Sequence, residues 1–232
     1  MSDGLKDKYD SFYRSRNPSN VYPVEFVVRA FLGTYPLLKA DRKAWQGKTI
    51  LDLGFGDGRN IPLLHDLGMR VCGVEISQEI CGLAGDRLSA MGIDAILRVG
   101  RNDKIPFPDH YFDAVLACHA CYYVDAGSCF SDNVREIARV LKPGGRLVFS
   151  APIGTSYIFS GAKHIGGGHM EIADDPYGVR NGCILRKFDD ETELRATLTP
   201  LFESFAIGSC RNDFWGIREH VWIVVCQRAG DN

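Results

Sequence analysis

No apolar run in this 232-residue chain is long enough to cross a bilayer, and the opening stretch MSDGLKDKYDSFYRSRNPSN lacks the apolar centre a secretory signal needs. A cytoplasmic protein is expected. A block of like charge is missing too, since 27 Lys and Arg stand against 29 Asp and Glu for a net charge of −2. That balance gives no electrostatic grip on nucleic acid or on an anionic membrane. The expected partner is a small molecule, and the oligomeric state is left open. Internal repeats and low-complexity segments are absent as well. With 45% apolar and 24% charged residues, the composition suits one α/β domain with a sizeable core.

Eight cysteines are present (Cys72, Cys81, Cys118, Cys121, Cys129, Cys183, Cys210 and Cys226), several of them inside apolar, strand-like runs. A chain of this size needs no disulfide staples, so reduced thiols are expected. Cys118 and Cys121 have the CxxC spacing of redox and zinc sites. A structural zinc would require a second ligand pair, and none follows. A redox pair should open a helix, whereas Cys118 closes an expected strand. His164, His169 and Glu171 match no standard ligand set either, so no metal is expected.

What the chain does contain is a regular alternation of short apolar runs with helical patterns, the mark of a parallel sheet covered on both faces. Strands are expected at Thr49 to Leu53, Arg70 to Glu75, Ala95 to Val99, Phe112 to Cys118 and Arg146 to Ala151. Helices are expected near Asn60 to Leu67, Gln78 to Met91 and Cys129 to Leu141, the last closed by KPGG. The rhythm breaks after residue 152. Residues 153–188 read as a long irregular insertion containing HIGGGHME, followed by a helix near Asp190 to Leu198 and two strands around Phe202 to Ser209 and His220 to Gln227. An insertion of that length is usually functional or disordered, and a mobile cover is expected. The expected organisation is one domain, with a helical N-terminal cover (1–47), a core (48–152), the insertion (153–188) and a C-terminal segment (189–228).

The stretch ILDLGFGDGRN joins the first strand to the first core helix through three glycines, each separated by one residue. This is the corner at which doubly wound sheets bind nucleotide-like ligands, and one glycine would suffice for a simple turn. The dinucleotide fingerprint GxGxxG is not met, because Arg59 stands where its last glycine would be. The pattern Asp52-x-Gly54-x-Gly56-x-Gly58 instead resembles the first motif of the class I S-adenosylmethionine-dependent methyltransferases. Glu75 ends the next strand 21 residues beyond Gly54, where a carboxylate can accept hydrogen bonds from both hydroxyls of a ribose. The stretches IPFPDHYFDAVLA and REIARVLKPGGRLVFSAP extend the likeness over roughly residues 48–152.

The resemblance implies a Rossmann-like, doubly wound sheet of seven strands, mostly parallel with an antiparallel last strand. It also implies S-adenosylmethionine as cofactor and methyl transfer to an oxygen or nitrogen of a small acceptor. Asp52, Gly54, Phe55, Gly56, Gly58 and Asn60 are implied near the methionine half, Glu75 at the ribose, Ile76 against the adenine, and Cys118 at the cavity. Where relatives often carry an acid near the adenine amino group, this chain has Arg101. Asn102 or the backbone would take that hydrogen bond, while Arg101 either packs over the ring or is a surface charge.

The fourth strand should end beside the transferable methyl, which makes His119 the candidate general base, or else a lining residue. Tyr122, Tyr123 and His169 are the candidates for the acceptor site, with aromatic packing as the plainer reading of the two tyrosines. Arg180, Arg186 and Lys187 either recognise an acidic acceptor or are solvated charges. Tyr9, Phe12 and Tyr13 share one helical face, expected to pack over the cleft. Two other readings remain open: an NAD-dependent oxidoreductase, and a non-catalytic S-adenosylmethionine binder.

Overall fold

The computed structural model describes residues 3–16 and 19–230. Helices α1 (Asp3–Ser15) and α2 (Glu25–Leu32) precede the first strand. The alternating core follows as β1 (Thr49–Leu53), α3 (Ile61–Asp66), β2 (Arg70–Glu75), α4 (Gln78–Ala90), β3 (Ala95–Val99) and β4 (Phe112–Ala117). Next come β5 (Tyr123–Val124), α5 (Phe130–Val140), β6 (Leu141–Pro152), β7 (Lys163–Gly166), β8 (His169–Glu171) and β9 (Ile184–Arg186). The chain closes with α6 (Glu191–Leu198), β10 (Phe202–Asn212) and β11 (Glu219–Arg228).

Seven strands form one sheet in the order β10-β11-β6-β4-β1-β2-β3. Strand β11 runs antiparallel to both β10 and β6, and the remaining core pairings are parallel. The strand order reverses between β1 and β4, so their C-terminal ends open the crevice where ligands bind in sheets of this kind. Strand β1 is buried at every residue, as its unbroken apolar reading requires. One core packs Phe112, Phe149, Phe188 and Phe202 on one face of the sheet; the other gathers Phe31, Ile50, Leu64 and Ile80. Local chemistry starts the helices: Ser77 accepts from the Glu79 N–H at the head of α4, and Asp190 accepts from the Glu193 N–H at the head of α6. Among the described residues no helix is long and apolar enough to cross a membrane.

The helix after β1 opens at Ile61, one residue beyond its expected start; Gly58 before it has φ +73° and cannot start a right-handed turn. One expectation needs correction. The insertion is not irregular: β7, β8 and β9 join β5 in a second sheet of order β5-β9-β8-β7. Its strands are two to four residues long, too short for an alternating pattern to register.

This second sheet is packed rather than loose. Tyr123 pairs with Leu185 and Val124 with Ile184, while the Arg186 N–H donates to the Tyr122 carbonyl at 2.8 Å. Met170, Ile172, Leu185 and Phe188 enter the same core as β4 and β6. Truncating Leu185, which is fully buried, should therefore behave as a core deletion. Leu185→Ala is expected to lose about 2–5 kcal/mol in urea unfolding, whereas a mobile cover would lose less than about 0.5 kcal/mol.

Candidate functional site

A cavity of about 310 Å³ lies at the C-terminal ends of β1, β2 and β4. Its floor is backbone. Gly54 and Gly56 have φ of +68° and +57°, a left-handed region that other residues rarely adopt. Space forbids side chains as firmly as the torsions do: a Cβ on Gly54 would lie 2.4 Å from the Ala120 Cβ, and one on Gly56 would lie 2.4 Å from the Tyr13 hydroxyl. The turn is thus held between the loop after β4 and helix α1.

Glu75, at the end of β2, fixes that turn from the side. One carboxylate oxygen accepts the Gly56 N–H at 3.1 Å and the other accepts the Ile76 N–H at 2.7 Å. Burial pushes its pKa up to about 6 against the lowering effect of those two bonds. Each oxygen keeps a further lone pair, so the carboxylate can still receive two hydroxyls from the cavity side.

Asp52 lies one layer deeper. It is fully buried, and neither carboxylate oxygen has a hydrogen-bond partner among the described residues. Burial first, then the neighbouring Glu75 and Asp57, push its pKa up to about 8. Near pH 7 the Asp52 carboxyl is therefore largely protonated, and the negative charge beside the cavity is that of Glu75, which favours a ligand with positive charge. Asp52 is absent from the cavity lining. Gly58 does not line the cavity either; a Cβ there would meet Ala84, Ile61 and Leu88 at 3.6–3.7 Å, which makes it a packing position against α3 and α4.

Phe55, Asn60, Ile76, Arg101, Asn102, Cys118, His119 and Tyr123 all line the cavity. Asn60 accepts the Val24 N–H at 3.1 Å and so ties the segment before α2 to the rim. Asn102 donates to the carbonyls of Ala120 and Tyr123 at 3.0 and 3.1 Å, which uses its amide N–H groups and leaves its oxygen as an acceptor. Arg101 pairs with Asp125 at 2.8 Å, with nearly half its side chain exposed. It is a cation on the rim of the cavity, held by that partner.

His119 follows β4 with φ +54°. The Ser150 hydroxyl oxygen accepts its backbone N–H at 2.9 Å and lies 3.1 Å from Nδ1. The ring meets Phe26 edge to face at 5.7 Å. Burial lowers its pKa below the usual histidine range, so the imidazole is neutral near pH 7. In the tautomer that carries its proton on Nδ1, the ring donates to Ser150 and Nε2 keeps the lone pair that a proton acceptor needs.

Two acceptor-site candidates are not brought here. Tyr122 is buried in the core beneath Tyr123, their rings stacked 5.0 Å apart. His169 sits on β8 with Nδ1 at 3.2 Å from the Gly166 carbonyl, outside the cavity. Cys118 and Cys121 belong to opposite cores, and among the described residues no group of three or more metal-ligating side chains is assembled.

Arg180 carries more of the site than its surface reading suggested. It lines the cavity, donates to the Tyr123 hydroxyl at 3.0 Å, and pairs with Asp175 at 3.1 Å. Asp175 is buried and also accepts the N–H groups of Val179 and Arg180. Arg186 and Lys187 instead pair with Glu193 and Asp189 away from the cavity. From α1, Tyr9, Phe12 and Tyr13 line the opposite wall, and Tyr9 meets Tyr123 edge on at 6.4 Å.

Comparison with known proteins follows the same division. Residues 51–149 match the family model described as a methyltransferase domain. An uncharacterized methyltransferase of Mycobacterium tuberculosis is 35% identical over 100 residues, covering 43% of this chain and 38% of that protein. A demethylmenaquinone methyltransferase of Tropheryma whipplei is 36% identical over 109 residues, covering 46% of this chain and 44% of that one. The chain thus spans less than half the length of these relatives. The crystal structure of a SAM-dependent methyltransferase from Methanosarcina mazei has the same fold, with a TM-score of 0.63 at 23% identity over 80% of this chain and 94% of that one.

The Asp52 environment makes a signed prediction. Its folded pKa is raised from 3.8 to about 8, so the stability it contributes is complete below 3.8 and is lost as pH rises towards 8. Asp52→Asn keeps the shape and stays neutral. Its gain in unfolding free energy over wild type should widen by about 1–3 kcal/mol between about pH 5 and pH 8, then level off. Chemical denaturation at several pH values measures this, and a constant gap would mean that Asp52 is ionised in the folded protein.

Proposed function

We propose that this chain belongs to the class I S-adenosylmethionine-dependent methyltransferases and moves a methyl group from S-adenosylmethionine to an oxygen or nitrogen of a small organic acceptor, a reading supported by the methyltransferase-domain match over residues 51–149. One observation carries the reading: the anchored Glu75 carboxylate, with lone pairs to spare, beside a floor of bare glycine backbone. That pair suits a ribose and the chain attached to it, and the negative floor suits a cationic ligand.

The cofactor's sulfonium supplies an already activated methyl, leaving the chain to align, to exclude water and to manage a proton. Alignment alone lowers barriers by about 7–11 kcal/mol in well-oriented systems. Glu75 would hold the ribose hydroxyls, Ile76 and the Asn102 oxygen would face the adenine, and the turn at Gly54 and Gly56 would bring backbone against the methionine portion. Tyr9, Phe12 and Tyr123 offer an aromatic wall to the acceptor, and Arg180 contributes a fixed cation within it. An acceptor with a flat ring and an anionic or carbonyl substituent would use both. The Tropheryma whipplei relative is named for a small-molecule acceptor, demethylmenaquinone.

His119 would take the proton that an attacking hydroxyl or ammonium sheds, with Ser150 holding the ring in the tautomer this requires. An acceptor without such a proton would leave His119 as part of the wall.

Titration calorimetry tests the cofactor reading first. S-adenosylmethionine and its demethylated product should bind and NAD should not, and Glu75→Ala should weaken binding by about 1.5–3 kcal/mol. NAD binding without S-adenosylmethionine binding would overturn it. Once an acceptor is found by screening pooled metabolites with methyl-labelled cofactor, His119→Ala should slow single-turnover transfer by about 10²–10⁴ while leaving cofactor affinity within a few fold. The wild-type rate should rise with pH through an apparent pKa that the variant lacks. A full-speed variant would remove His119 from proton transfer.

A further inference from the structure

At the opposite edge of the sheet, where β1 and β4 begin, a second cleft of about 300 Å³ is lined by Lys39, Lys48, Lys142, Arg146, Trp45 and the two acids Asp41 and Asp113. The charges there do not balance. Asp113 is already shared: Lys142 lies 2.9 Å and Lys48 3.6 Å from one oxygen, and the Thr49 N–H donates to the other at 2.9 Å. Against its partial burial, these donors hold the Asp113 carboxyl below its usual range. Asp41 is engaged at the start of the turn Arg42–Trp45, where it accepts the Lys43 N–H at 2.9 Å.

Lys39 and Arg146 therefore have no carboxylate among the described residues. Arg146 is half-buried, its guanidinium 5.0 Å from the centre of the Trp45 ring, and burial alone acts on it, lowering its pKa without an opposing anion. Trp45 is 6% exposed, and its ring backs the guanidinium on one side. A half-buried cation without a counter-charge costs free energy, and an anion bound beside Arg146 would relieve it.

We infer that this cleft is a binding site for a phosphoryl group, carried on a small molecule, remote from the methyl-transfer site. Two uncompensated cations match the charge of a phosphoryl dianion better than that of a single carboxylate. The Arg146 fork fits its oxygens in pairs, and the lysines surround it as point charges. The cleft is larger than orthophosphate alone, so a phosphate ester or a diphosphate fills it better.

Calorimetry at matched ionic strength, with inorganic phosphate, pyrophosphate and acetate as probes, tests the site without reference to enzyme activity. Saturable one-to-one binding is expected for pyrophosphate, weaker binding for inorganic phosphate, and none for acetate. Arg146→Gln should weaken pyrophosphate binding by roughly tenfold or more. Lys39→Ala, a change at an exposed side chain that leaves the fold intact, should weaken it by roughly threefold or more. S-adenosylmethionine affinity should not change in either variant. Absence of saturable pyrophosphate binding to the wild-type protein, or unaltered affinity in both variants, would overturn the assignment.

Discussion

The site depends on one close approach. Between β1 and α3 the backbone at Gly54 and Gly56 is squeezed by Ala120 on one side and by Tyr13 on the other, with no room for a Cβ at either position. That approach lets Glu75 reach the Gly56 N–H, puts α1 over the mouth, and brings the loop after β4, with His119, beside the end of β1. A side chain at either glycine would push these elements apart at the cavity. The sheet supplies the frame, and this turn sets where its crevice lies.

Charge is distributed unequally around that crevice. Glu75 and Asp175 each accept several N–H groups, which hold their carboxylates in fixed positions. Asp52 accepts none. The two satisfied acids position other groups, the turn in one case and Arg180 in the other, whereas burial beside Glu75 and Asp57 keeps the unsatisfied one largely protonated near pH 7.

The core strands and the glycine turn were legible in the sequence because each has a local signature. Strands β1, β2 and β4 are short apolar runs with sharp ends, and three alternate glycines before a helix have few other uses. Tyr9, Phe12 and Tyr13 were legible as one helical face, which does line the cavity. What escaped was built from contacts distant in sequence. Arg180 meets Tyr123 across 57 residues, and nothing near PYGVRNG sets it apart from Arg186 and Lys187, which stay outside the cavity. Tyr122 and Tyr123 are neighbours of one kind, and only the register of β5 against β9 decides which faces the cavity. Strands β7, β8 and β9 are too short to show a period, so a packed sheet read as a loop.

The two halves of the cavity are made of different material. The half under the proposed cofactor is largely main chain held by Glu75, while the acceptor half is side chains: tyrosines from α1 and β5, and an arginine carried by the insertion. Main-chain contacts are unaltered by most substitutions, whereas a side-chain wall changes with a single codon. Exchanging residues such as Tyr9, Tyr123 or Arg180 would therefore reshape one half of the cavity without disturbing the turn that forms the other.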